Sequence, residues 1–229
     1  MSAAPVMTLD GPGGAGKGTL ASALARELGW SLLDSGALYR LVGLLSLRRD
    51  LDAEVTDDLN TAVNASRALD LVFEPDRGDG QRVCLDGEDV TDAIREDAVS
   101  AAASKWAVQP RIREALLARQ RDFARPPGLI ADGRDMGTVI FPGADLKLYI
   151  TATAQERANR RFAQLSALNV DANLGRIYRE ILERDARDAS REVAPLKPAV
   201  DAHVIDTTGE TVAASLERVR CLVSEKGWI

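Results

Sequence analysis

The sequence has few of the residues that most often carry chemistry alone: its 229 positions include one histidine, His203, and two cysteines, Cys84 and Cys221. His203 follows Ala202 beside a short apolar pair late in the chain, which favours a structural role over a functional one. The cysteines show no metal-ligand spacing. They could pair, but nothing else suggests a disulfide-rich secreted scaffold, and reduced thiols in a cytoplasmic protein are expected. Aromatic residues make up 4%, and Trp30, Trp106 and Trp228 are too widely separated to argue for a nucleic-acid stacking surface, so packing is their simpler use. Net positive charge is lacking as well. At a formal −6 the chain is unsuited to an unspecific grip on a nucleic-acid backbone, although a local arginine cluster for small phosphorylated substrates fits within an acidic protein. No apolar run approaches membrane-spanning length, and Met1-Ser2-Ala3-Ala4-Pro5 has neither the basic nor the apolar segment of a leader, so secretion and membrane insertion are disfavoured.

What is present is an ordinary globular composition, 45% hydrophobic and 28% charged, on a chain long enough to bury a full core. Val6, Met7 and Leu9 form a short apolar run that stops at Asp10; a glycine-rich stretch follows, then a helical pattern over Lys17–Leu28 with Leu20, Leu24 and Leu28 on its apolar face. A strand over Ser31–Asp34 and a helix from about Gly36, capped by Ser35, repeat the order. Successive strand-helix units predict an α/β fold, with a central parallel sheet flanked by helices. After a helix ending near Ala68 the period changes. Leu69, Leu71 and Phe73 alternate, Asp76-Arg77-Gly78-Asp79-Gly80 turns the chain, and Val83 and Leu85 alternate again, predicting an inserted hairpin that is either a substrate lobe or a plain surface feature. Pro110 suits the first turn of a helix running towards Phe123. Strands are expected at Leu129–Ala131, Leu146–Thr151 and Val204-Ile205, with helices over 153–168, Leu174–Ala189 and Val212–Val223.

The glycine-rich stretch, Gly11-Pro12-Gly13-Gly14-Ala15-Gly16-Lys17-Gly18-Thr19, reads as a phosphate-binding loop, although Gly18 stands where the strict pattern has serine or threonine. The physical requirements survive: backbone amides can curl around phosphate oxygens, and the helix from Lys17 adds its N-terminal dipole. Lys17 can span the β and γ phosphates of ATP or GTP, while the hydroxyl that meets Mg²⁺ is displaced to Thr19. A nucleotide switch presents a mobile threonine and a water-positioning residue, whereas this chain offers many arginines, the anion clamps that transfer between two phosphorylated molecules needs. Another small-molecule kinase, acting on uridylate, adenylate or shikimate, and a non-enzymatic nucleotide switch remain the alternatives.

Over essentially its whole length the sequence resembles the bacterial cytidylate kinase family of nucleoside monophosphate kinases. The stretches that carry the resemblance are Asp10–Thr19, Leu33–Arg40, Glu88–Val90, Ile130–Thr138 and Glu183–Arg191. It implies transfer from ATP, with Mg²⁺, to CMP or dCMP, on a P-loop kinase core. That core would comprise 1–62, 101–154 and 169–229, with a β-containing nucleotide-monophosphate insertion at 63–100 and a lid at 155–168. Ser35, Tyr39 and Arg40 would lie near the accepting nucleotide, and Ser104, Arg113 and Asp135 would recognise cytosine, where uracil exchanges a donor for an acceptor. Arg134, Arg184 and Arg191 resemble clamps on the monophosphate or the moving phosphoryl group, and Asp188 the acceptor of a ribose hydroxyl. Arg157, Arg160 and Arg161 match the lid and would close over ATP, or are plain surface arginines. Asp34 or Asp132 could influence Mg²⁺-bound water, the alternative for each being a helix cap or a salt bridge. Gly14 stands where serine is frequent in relatives, and Ala189-Ser190 replaces a more polar or basic pair in some of them; neither is expected to change the reaction. A monomer is expected, since no apolar stripe asks for a partner.

Overall fold

In the computed structural model, which describes residues 4–75 and 81–229, the elements in chain order begin with β1 (Val6–Asp10), α1 (Lys17–Leu28), β2 (Ser31–Asp34), α2 (Ser35–Arg48) and α3 (Thr56–Ala68). They continue with β3 (Leu71–Pro75), β4 (Gln81–Leu85), β5 (Glu88–Asp89), α4 (Asp97–Trp106), α5 (Pro110–Arg121), β6 (Leu129–Gly133) and β7 (Leu146–Thr151). The chain closes with α6 (Ala154–Ala167), α7 (Leu174–Ala189), β8 (His203–Asp206) and α8 (Val212–Glu225). It divides into two compact units, Met1–Leu33 with Ala124–Ile229, and Asp34–Phe123.

The first unit is built on a five-stranded sheet in the order β2-β6-β1-β7-β8. All five residues of β1 are buried, as a strand hydrogen-bonded on both sides and covered on its faces requires. It pairs in parallel with β6, from Val6 opposite Leu129 to Asp10 opposite Gly133, and with β7, from Met7 opposite Leu146 to Asp10 opposite Tyr149. β8 extends the sheet in parallel beyond β7. Leu20, Ala21 and Leu24 of α1 and Val219 and Val223 of α8 join Met7, Leu9, Ile130, Leu148 and Ile150 in one core. Full burial of each large aliphatic side chain stabilises this packing by roughly 1.5–3 kcal/mol. Trp30 and Trp228, distant in sequence, pack with ring centroids 4.7 Å apart, and both flank this core. Because every strand pairing described by register in this sheet is parallel, the carboxyl ends lie along one edge, where open α/β sheets bind ligands.

The second unit contains a three-stranded sheet in the order β3-β4-β5, with β3 and β4 antiparallel and Leu71 opposite Leu85. This is the expected hairpin; its turn, Asp76–Gly80, lies outside the described residues. Two details differ from expectation. Leu69 ends α3 rather than starting the strand, and β5, only two residues long, is too short to show any alternation. Helices α2 and α4 approach closely at Gly43, where a Cβ would lie 2.7 Å from the Ala103 amide nitrogen and 2.8 Å from the Val99 carbonyl oxygen.

Ser35 does not cap α2. It is the first helical residue, and Asp34 caps the helix instead, its Oδ1 accepting from the Ala37 amide at 3.0 Å. Aspartate competes well with serine for this role, and the helix starts one residue earlier than the apolar pattern predicts.

Candidate active site

The loop after β1 turns on its glycines. Gly14 and Gly16 adopt positive φ values of 79° and 94°, and Gly16 caps α1 with no side-chain hydrogen bond and no acidic residue in the first turn. No side chain caps the amides at the start of this helix, an arrangement suited to an anion. At Gly11 a Cβ would lie 1.9 Å from the Ile150 carbonyl oxygen, so no larger residue fits where the chain leaves β1. Lys17 is buried, and its Nζ donates to the Pro12 carbonyl oxygen at 2.9 Å and lies 3.9 Å from Asp132 Oδ1. Burial and then the Arg134 guanidinium push its ammonium down from 10.5 to about 7, against the opposing pull of Asp132 and Asp10.

Arginines from two elements converge on this loop. A Cβ on Gly13 would lie 3.3 Å from Arg134 Nη2 and 3.8 Å from Arg184 Nη1, so the turn after β6 and helix α7 both bring cations over the loop's outer face. Asp188, buried on α7, organises them: its Oδ2 accepts from Arg134 Nε at 3.1 Å and its Oδ1 from Arg191 Nη2. Burial pushes the Asp188 carboxyl up, but Arg134, Arg191 and Arg184 together outweigh it and hold the group below its usual range. Arg134, Arg184, Asp188 and Arg191 thus form one cluster. Asp135, also buried, follows in the same turn.

Arg157 is placed against the loop as a buried clasp. Its Nη1 donates to the Gly13 carbonyl oxygen at 3.2 Å, and its fork meets both oxygens of Asp185 on α7, at 3.0 and 2.5 Å. Arg160 donates through Nη2 to the Thr207 carbonyl oxygen at 2.6 Å and pairs with Glu156 at 3.0 Å. Arg161 is half-buried on the same helix.

Of the two carboxylates considered for Mg²⁺, Asp34 is engaged in the cap and in an ion pair of 2.6 Å with Arg40. Asp132, at the end of β6, fits the ion better: a Cβ on Gly18 would lie 3.6 Å from its Oδ2, so this carboxylate faces the position where the strict loop pattern carries a metal-binding hydroxyl. Thr19 is exposed one residue further along the first turn. One carboxylate and one hydroxyl beside a phosphate site form the donor set that Mg²⁺ takes together with nucleotide oxygens and water.

The remaining predicted residues lie in the second unit. Arg113 is buried, with its Cζ 5.7 Å from the centroid of the Tyr39 ring, a cation-π distance. Its Nη1 donates to the Ala107 carbonyl oxygen at 3.3 Å. Ser35 and Ser104 are buried on α2 and α4, which pack together.

Three residues at the donor loop escaped the sequence reading. The Asp10 carboxylate accepts from the amides of Met136 and Gly137 at 2.7 and 2.8 Å. Asp185 holds Arg157, and the Thr207 hydroxyl lies 3.1 Å from the Ala15 carbonyl oxygen and donates to it or to the Thr151 carbonyl at the same distance. Asp10, directly before the loop, and Asp185, within Glu183–Arg191, had a sequence signal; Thr207 had none and meets the site only through folding.

Comparison with known proteins bears on this geometry. A solved structure of an uncharacterized protein from Eubacterium ventriosum ATCC 27560 matches with a TM-score of 0.53 at 11% identity, covering 96% of this chain and 98% of that one; the likeness concerns the fold alone. At sequence level the chain is 52% identical over 223 residues to the cytidylate kinase of Shewanella loihica, covering 97% of this chain and 96% of that protein. It is 50% identical over 227 residues to the cytidylate kinase of Pseudomonas aeruginosa strain LESB58, covering 99% and 98%. The family model described as Cytidylate kinase matches residues 7–225. With the phosphate loop, the parallel sheet and the arginine cluster already in place, this match across nearly the full length establishes that the chain belongs to the cytidylate kinase family.

Proposed function

We infer that this chain transfers the γ-phosphoryl group of ATP to CMP and dCMP, giving ADP with CDP or dCDP. The observation that carries the reading is a glycine loop leading into α1, whose start no side chain caps, with Arg134 and Arg184 beside Gly13, in a chain of the cytidylate kinase family. An oxygen of the acceptor's phosphate attacks the γ-phosphorus while the bond to the β-γ bridging oxygen breaks and ADP leaves with the electron pair. The attacking phosphate is already anionic at neutral pH, so no general base is required; positioning and neutralisation of charge supply the catalysis.

In this reading the amides of 11–19 and Lys17 hold the donor phosphates, and Arg134, Arg184 and Arg191 guide the moving group. Mg²⁺, when bound, neutralises phosphate oxygens; Asp132 would hold it through water and Thr19 through its hydroxyl. Ser35, Tyr39 and Arg40 serve the acceptor, with Ser104, Arg113 and Asp135 reading cytosine and Asp188 available to a ribose hydroxyl. Residues 63–100 serve as the acceptor-binding insertion and 155–168 as the lid, with Arg157 and Arg161 acting on ATP. The buried placement of Arg113 and Ser104 supports selective base recognition, because a group held in one place by packing presents a fixed hydrogen-bonding pattern to the base. We expect the chain to work as a cytoplasmic monomer; among the described residues no helix is long and apolar enough to cross a membrane.

Simultaneous measurement of ADP and nucleoside diphosphate formation with CMP, dCMP, UMP, AMP and shikimate tests the reading. CMP and dCMP are expected to lead, and ATP turnover indifferent to CMP, without CDP, would overturn it. Arg113→Ala is expected to lower kcat/KM for CMP by about tenfold or more and to narrow its preference over UMP. Unchanged selectivity would remove Arg113 from base recognition.

A further inference from the structure

Asp10 is 3% exposed at the end of β1. Both oxygens turn to the start of the short π-helical turn Met136–Ile140, Oδ1 accepting from the Met136 amide at 2.7 Å and Oδ2 from the Gly137 amide at 2.8 Å. These are the first amides of that turn, the ones its own hydrogen bonding leaves without partners. Arg134 and Asp135 immediately precede them, and Gly11, the first residue of the phosphate loop, immediately follows Asp10. The turn is also closely seated: a Cβ on Gly137 would lie 2.8 Å from Thr8 Oγ1, 3.1 Å from Lys147 Cδ and 3.3 Å from Asp10 Oδ2.

We propose that Asp10 is a positioning residue that holds the Arg134-Asp135 turn in register with the donor loop, so that acceptor binding and phosphoryl transfer depend on its two-oxygen grip. The inference rests on the CMP kinase reading above. A carboxylate is required because two amides need two acceptors; asparagine offers one oxygen and turns an amino group against the second amide. A buried carboxylate is also an expensive choice for packing alone, since burial pushes it up to about 6 in spite of the Gly137 and Met136 amides.

The test compares wild type with Asp10→Asn, which removes one of the two acceptor oxygens, and Gly137→Ala, which keeps the carboxylate but crowds its seat on the turn. KM for CMP and kcat are measured alongside the Kd of MgATP in the absence of acceptor, and melting temperature is recorded for each. Both variants are expected to raise KM for CMP, with a fall in kcat, by at least about tenfold, while the Kd of MgATP stays within about twofold. Equal losses for CMP and ATP, or wild-type kinetics with only a lowered melting temperature, would overturn the positioning role. Should Asp10→Asn fail to fold, Gly137→Ala decides between the same outcomes. Absence of CDP formation by the wild type would overturn the kinase reading itself, whereas CDP formation with unsplit effects in the variants overturns the positioning role alone.

Discussion

Lys17 shows how one buried charge links ligand and pH. With its folded value near 7 against an ordinary 10.5, the unliganded protein binds fewer protons there than the unfolded chain does. The neutral lysine therefore contributes stability that is present above 10.5 and lost as pH falls through about 7. Asp10 runs the other way: raised from 3.8 to about 6, it contributes stability below 3.8 that is lost as pH rises through about 6. Lys17→Met is accordingly expected to raise the melting temperature of the ligand-free protein at pH 6, with a smaller gain at pH 9, while abolishing transfer; an equal gain at both would show that the ammonium carries no burial cost. Donor phosphates reverse the balance by adding negative charge beside Lys17 to that of Asp132. At pH 8, MgATP binding is expected to take up close to one proton, read as the dependence of calorimetric enthalpy on buffer ionisation enthalpy and absent in Lys17→Met. At this scale the legible residues were those with fixed spacing to the loop, such as Lys17 and Thr19. Thr207 was not legible, because a hydrogen bond to a carbonyl oxygen formed across tens of residues leaves no local pattern.

Among the elements, β1, α1 and α7 follow from periodicity and from the glycines and charges at their ends, and the structure places α7 over the very span expected, Leu174–Ala189. The π-helical turn after β6 was missed, since neither its length nor its composition matches a repeating template, and its start is satisfied by Asp10, a residue far away in sequence. Ser35 lost the cap of α2 to its neighbour Asp34 because both are good capping residues and only the path of β2 decides which one faces the helix. Contact between α2 and α4 depends on Gly43, whose absent side chain lets the Ala103 and Val99 backbones come close. Gly43→Ala is expected to destabilise the protein by about 1–3 kcal/mol, measured by urea unfolding, because the overlap is with backbone rather than with a movable side-chain tip. A change within a few tenths of a kcal/mol would mean that α4 yields without cost.

On the scale of the whole molecule, two compact units carry the two groups of candidate residues: the phosphate loop and the arginine cluster in one, Ser35, Tyr39, Arg40, Ser104 and Arg113 in the other. MgATP alone is expected to slow amide hydrogen exchange at 11–19 and in β6, and CMP to slow it in α2 and α5. At a ligand concentration about a hundred times Kd the added stability is about 2.7 kcal/mol, and uniform protection across both units by MgATP alone would contradict this division. Sequence by itself determined nucleotide-phosphate binding and the α/β order, because a phosphate loop is a local object: glycines, a lysine and a helix start adjacent in the chain. Tertiary structure alone decided which charges meet there. The Asp188 grip on Arg134, the Arg157 clasp to Asp185 and Gly13, and the Asp10 bonds to Met136 and Gly137 are set by parallel strand register and helix packing, which bring together residues that no spacing rule connects.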